Sequence, residues 1–374
     1  MKKKRLLAGL IALAALAALV AWGRNRIHFD FQVFRSHLAL ADWTRIAWAI
    51  ACIYAGYLFR SARWALLLRH NQKVPLFSLL GTQVMGFTAV ALIGRVADPV
   101  RPYLVAKRTR LPLSTQIAVY IVERLFDFGS LAVIISLALL WIPSPQTAAA
   151  GGHGAWFAHQ LAPLLQRFPV LGVILTRFGG LLLTLLAVLV LIGIRMAGIP
   201  VARFFEHGLG PMSRNVGHSI GHKIRTFHSG LGAVQSLSDF AIAASLSLAM
   251  WALITFAYLE TARAFTASPP LAGMSLSKCI LLMAVSGGVS VFQLPVLGWF
   301  SQIAFVAAAL TSFFGVSPEA ATACAGTLLL VTFLSIIPVG LAWAQFENVS
   351  LRRVAAESEQ AEEQLQSESA AAAE

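Results

Sequence analysis

The chain has 374 residues, 58% of them hydrophobic and only 12% charged, with a net charge of +13 and a mean hydropathy of +0.74. A soluble domain of this length needs far more charge to cover its surface, so that class is excluded. The residue alternation of a membrane β-barrel is absent, while several runs reach or approach the roughly 20 apolar residues that cross a bilayer core.

The first run, Leu6 to Trp22, follows Lys2, Lys3, Lys4 and Arg5, which places its start in the cytoplasm. It reads as a signal peptide or as an uncleaved first helix. Its length, beyond the usual ~7–15 residues of a signal core, and the lack of a small-x-small site favour the helix. A second run spans Ile46–His70. A third, Leu76–Ile93, is interrupted by Gly81, Gln83, Gly86 and Gly94. The stretch "GRVADPVRPYLVAKRTR" comes next, with cations at Arg95, Arg101, Lys107, Arg108 and Arg110. A helix from about Thr115 to Trp141 contains "VERLFD". A Pro/Gly-rich loop covers Pro143–Gly180, an apolar run Leu181–Gly198, and a basic connector Val201–Ser238. Phe240–Phe265 is helical. Leu276–Val291 and Phe300–Phe314 flank the break "QLPVLGW", and the last span is Ala320–Trp343. The membrane part is expected over 1–349. Residues 350–374 read as an acidic, Ala-rich cytoplasmic tail, frayed or disordered.

Charge sets the topology. A full crossing by Leu76–Ile93 would put the five cations outside, against the positive-inside rule. A segment that dips in and turns back keeps them cytoplasmic, and broken helix is tolerated where protein or water covers it. The same reasoning makes Leu276–Phe314 a hairpin broken at Pro295 and Gly298. The expectation is an all-α bundle of six full spans and two re-entrant hairpins, with both termini inside. That is the organisation of inverted repeats. The alternative is eight plain crossings.

Arg60, Arg63, Glu123, Arg124 and Asp127 fall inside spans, where an unpaired charge costs at least ~2.5–3.5 kcal/mol. Arg60 and Arg63 share one helix face, as do Glu123 and Asp127, and antiparallel helices bring the two sets to matching depth. Two readings stand side by side: ion pairs that fix packing, and a polar cavity open to the cytoplasmic leaflet. In the second, the carboxylates orient the arginines or receive a cationic headgroup. Arg95 and Arg101, either side of Asp98 and Pro99, form a small basic pocket at its mouth for a lipid phosphate. Lys107 and Arg108 also face headgroups. Tryptophans near span ends, such as Trp43 and Trp343, read as interfacial anchors. Cys52, Cys279 and Cys324 lie far apart in apolar runs and read as packing residues. No spacing points to a metal or a cofactor, and no soluble basic region is present to carry nucleic acid.

At Gly94–Pro102 and Glu123–Asp127 the sequence resembles the lysylphosphatidylglycerol synthase transmembrane family, also called the flippase-like domain family. Arg95 takes the family's basic position, Asp98 the acidic one, and Arg101-Pro102 and Glu123-Arg124-x-x-Asp127 match directly. Ala97 replaces the usual glycine. In the second half Pro295 and Gly298 are kept, but the Gly cluster and the glutamate are missing, with Gln302 or Ser301 in their place. The resemblance implies the membrane part alone, without an aminoacyl-transferase domain. It implies an inner-membrane protein, not an enzyme, that binds and translocates or positions an anionic phosphate lipid. The alternatives are a membrane-embedded headgroup-modifying enzyme and a non-catalytic partner of such an enzyme. The residues implied are Arg95, Arg101, Arg60, Arg63 and Arg124 for phosphate. Asp98, Glu123, Asp127, Gln293 and Gln302 would line the polar cavity. Gly94, Pro99, Pro102, Pro295 and Gly298 would mark the breaks.

Overall fold

The computed structural model describes residues 29–69, 71–94, 97–141, 182, 185, 236–290, 297–351 and 353–361. Arg95, Gln293, Pro295 and the runs at 6–22 and 181–198 lie outside them, apart from Leu182 and Leu185. Every described element is helical.

Helix α1 (Phe31–Ala39) meets α2 (Trp43–Leu68) at a 73° bend. Aspartates start both. Asp30 accepts from the backbone N–H of Gln32 and Val33, and Asp42 from Thr44 and Arg45, which satisfies donors that a first turn leaves open. α3 (Leu76–Ile93) follows, and Gly94 ends it at φ 89°, a conformation that suits glycine.

A short helix, α4 (Val100–Thr109), then runs back along α3. Arg101 bonds to Gln83, Val105 packs with Leu79, and Arg108 Nε donates to Ser78 at 2.5 Å. Rising numbers on one helix meet falling numbers on the other, so α3 and α4 form an antiparallel hairpin. α3 is continuous and α4 begins only at Val100, so the reversal is not inside 76–93 as the glycines suggested. α3 is unbroken because those glycines seat neighbours. A Cβ on Gly86 would overlap Arg101 Cγ, and one on Gly81 would overlap the Trp343 indole. Pro99 is the N-cap of α4 and Pro102 sits in its first turn, where a missing N–H breaks no helical bond.

α5 (Leu113–Trp141) is followed, beyond the undescribed segment, by α6 (Leu237–Arg263), which packs lengthwise on α2. A one-turn helix α7 (Pro269–Ala272) leads to α8 (Leu276–Ser290) and α9 (Leu297–Phe314). Ser286 bonds to Gln302, and Lys278 near the start of α8 lies over the ring of Phe314 at the end of α9. These two helices are therefore a second antiparallel hairpin. Gly298 lies buried in the first turn of α9 instead of in the break.

The last span is α10 (Pro318–Leu329), a π-helical turn (Leu330–Leu334) and α11 (Ile336–Phe346). Pro338 explains the widened turn: its ring has no N–H and crowds the carbonyl of Leu334. Ser335 N–H bonds instead to Leu330 O, five residues back, at 2.8 Å. Residues 353–361 form a helix, α12, with Val354 and Ser358 buried and Glu357 accepting from Tyr103 Oη at 3.0 Å.

Three described helical segments are long and apolar enough to cross a membrane: α3, α6 and Pro318–Phe346. A fourth is added if α1 and α2 count as one bent span. α5 has 29 residues but carries Glu123, Arg124 and Asp127 within two turns. Phe77, Phe128, Phe305 and Phe313 all project outward, as expected of surfaces that meet lipid and not water.

Candidate functional site

Three helices bring these charges together. α2 supplies Arg60 and Arg63, α4 supplies Arg101, and α5 supplies Glu123, Arg124 and Asp127. α3 adds Gln83. Glu123, 1% exposed, is the hub. It accepts from Arg60 Nη1 at 3.3 Å, Arg63 Nη2 at 2.9 Å, Arg101 Nη2 at 2.9 Å and Arg124 Nη2 at 2.9 Å. Asp127 accepts from Arg63 Nη1 at 2.7 Å and lies 2.9 Å from Arg124 Nη2. Arg63 also donates to Ser247 of α6. The antiparallel α2 and α5 thus cross-link both pairs expected at matching depth.

Arg101 sits inside this cluster, not at a mouth. It is 1% exposed, donates to Gln83 Oε1 at 2.7 and 3.0 Å, and lies over the Phe87 ring at 4.3 Å. The pocket expected around Pro99 does not contain it. Asp98 is half-buried in the turn before α4. Lys107 and Arg108 lie at the other end of α4, where they pair with Glu357 and Glu347. The described cations of the basic run therefore divide into one interior arginine, Arg101, and a group at the end of α4.

The charges do not cancel. Among the described residues four guanidinium groups face two carboxylates, leaving two positive charges in excess, or one when Asp98 is counted. Hydrogen bonding is unbalanced in the same direction. Arg63 Nε, Arg124 Nε and Gln83 Nε2 are buried donors with no hydrogen-bond partner, against one such acceptor, Asp127 Oδ2, which meets Arg124 only as an ion pair at 2.9 Å. Both carboxylates lie against arginines.

A cavity of about 170 Å³ adjoins the cluster. Arg60 and Phe87 line one side. Trp251, Ser286, Gln302 and Phe333 line others, with Phe333 brought there by the π-helical turn. Arg60 belongs to both the ion-pair cluster and the cavity wall.

A family model described as the lysylphosphatidylglycerol synthase TM region matches residues 6–340. The chain belongs to that family. No curated protein and no solved structure gives a match. Membership and the apolar helices together make this lysylphosphatidylglycerol synthase TM-region protein a multi-pass membrane protein linked to lipid headgroup handling.

Sequence reasoning missed Ser247, Ser286, Tyr258 and Trp251 near the site. Ser286 carried a weak signal as a small polar residue beside two glycines in an apolar run. Tyr258 and Trp251 carried none, because aromatic residues in a span read as packing.

Proposed function

We propose that the chain is an inner-membrane protein that binds an anionic phosphate-headgroup lipid and carries it between leaflets. Both termini face the cytoplasm, and the α3/α4 and α8/α9 hairpins are re-entrant segments of opposite orientation. The observation that carries this reading is the position of Arg60, which joins a buried excess of guanidinium charge to a cavity with mostly apolar walls. A phosphate there neutralises the excess and accepts charge-assisted hydrogen bonds, and the lipid's apolar part meets apolar side chains. The end cations Lys107 and Arg108 suit the anionic surface of the cytoplasmic leaflet.

The test is a proteoliposome assay with fluorescent phosphatidylglycerol and a reductant that bleaches only the outer leaflet. The protein should make inner-leaflet lipid reachable, and Arg60→Gln should slow this by about tenfold or more while the protein still inserts. Bleaching no faster than in protein-free liposomes, or equal with Arg60→Gln, overturns the proposal.

A further inference from the structure

Arg60 is the least firmly held of the buried arginines. Among the described residues, its polar contacts all use one nitrogen. Nη1 lies 3.3 Å from Glu123 Oε1 and 3.9 Å from Asp127 Oδ2. Arg63 meets the same two carboxylates through Nη1 at 2.7 Å and Nη2 at 2.9 Å. Arg101 bonds through Nε and Nη2 at 2.7–3.0 Å. Contacts to two nitrogens fix the plane of a guanidinium fork, whereas contacts to one let it turn.

The Phe87 ring supplies the missing restraint. Arg60 Cζ lies over it, 4.6 Å from the centroid. Tyr57, one turn before Arg60 on α2, packs its own ring on Phe87 at 5.2 Å. Phe87 and Arg60 both line the cavity, while Glu123 and Asp127 do not. The carboxylates draw the guanidinium towards the charge cluster, and the ring keeps it at the cavity wall. Arg101 Cζ also lies over this ring, at 4.3 Å. The negative face of an aromatic ring attracts both cations, most strongly where water is excluded. Arg101 has Gln83 and Glu123 to orient it besides, so loss of the ring falls mainly on Arg60.

We propose that Phe87 is a positioning residue for Arg60. Its ring face sets the guanidinium plane at the cavity wall, leaving Nε and Nη2 to an entering anion. This rests on the lipid-phosphate reading above and adds the group that orients its arginine.

The test places mono-, di- and trifluorinated phenylalanine at position 87 of the full chain. Ring fluorines draw charge off the ring face and change its shape little. Binding of dioctanoyl phosphatidic acid in detergent is measured by thermophoresis, with dioctanoylglycerol as the uncharged control. Affinity for the phosphate lipid should fall stepwise along the series, by about tenfold in all, with the control unchanged. Phe87→Leu should give a similar loss, and Phe87→Tyr, which keeps the ring face, should stay within about twofold of the native chain. In an Arg60→Gln background the fluorines should have no effect. A flat series, a fall shared by both lipids, or an equal fall in the Arg60→Gln background overturns the role of Phe87 and leaves the phosphate site standing. If the native chain does not prefer phosphatidic acid to dioctanoylglycerol, both fall.

Discussion

The α3/α4 hairpin presents Gln83 and Arg101 to the interior, whereas the α8/α9 hairpin presents Ser286 and Gln302. Both are antiparallel pairs and both contribute to the neighbourhood of one cavity, but they are held in place differently. Arg101 ties the first hairpin to α5 through Glu123. Among the described polar contacts of the second, Ser286 meets Gln302 and Tyr258 through neutral hydrogen bonds. A buried charged link is costly to strip of its partner, and a neutral one much less so. The first hairpin is thus fixed by the same groups that supply the positive charge, and the second leaves its polar groups available.

The widest separation between the two regions should come from removing their central polar groups. Glu123→Ala strands Arg60, Arg63 and Arg101 in the interior and should destabilise the protein by about 3–5 kcal/mol. Gln302→Ala removes one neutral hydrogen bond and should cost about 1 kcal/mol. Thermal unfolding in detergent compares them, and equal losses would mean that the charge network does not hold the first hairpin. A smaller contrast lies in the glycines. Gly86→Ala pushes a methyl into Arg101 and should cost about 1–3 kcal/mol. Gly288→Ala meets nothing within 4 Å and should be neutral or stabilising by up to about 1 kcal/mol. The smallest effect concerns what covers the first hairpin. The Tyr103 hydroxyl and the Arg353 guanidinium hold the Glu357 carboxyl below its ordinary range. A depressed carboxylate stabilises above its ordinary value and loses that contribution as pH falls through its folded value. Protease protection of α12 should therefore persist at neutral pH and weaken only in acid, and Glu357→Gln should flatten that dependence. Protection that changes between pH 6 and 8 would point to a different contact.

The bounds of α3 were legible as an apolar run over 76–93, but that run was read as a broken segment and is one helix. The meeting of Arg60 and Arg63 with Glu123 and Asp127 followed from helical spacing and antiparallel depth. α4 was not legible as a return helix, since Pro99 and Pro102 read as breaks. A proline in the first turn lacks only an N–H that no helical bond uses, and sequence alone does not say which turn it occupies. Gly81 and Gly86 read as interruptions for a related reason. Their purpose depends on Trp343 and Arg101, both distant along the chain. The interior place of Arg101 was hidden too, because its spacing from Arg95 about Asp98 and Pro99 suggested a pocket at the cavity's mouth.

The tether from Arg101 to Glu123 also bears on mechanics. Sliding α4 along α5 would tear apart a guanidinium and a carboxylate where no water replaces either partner. Parting Ser286 from Gln302 breaks one amide–hydroxyl contact. In its polar links, though not in its apolar packing, one flank of the cavity is therefore held more firmly than the other. Any breathing that admits a ligand has its softest direction through α8 and α9, with α2, α4 and α5 acting as the anvil against which they move.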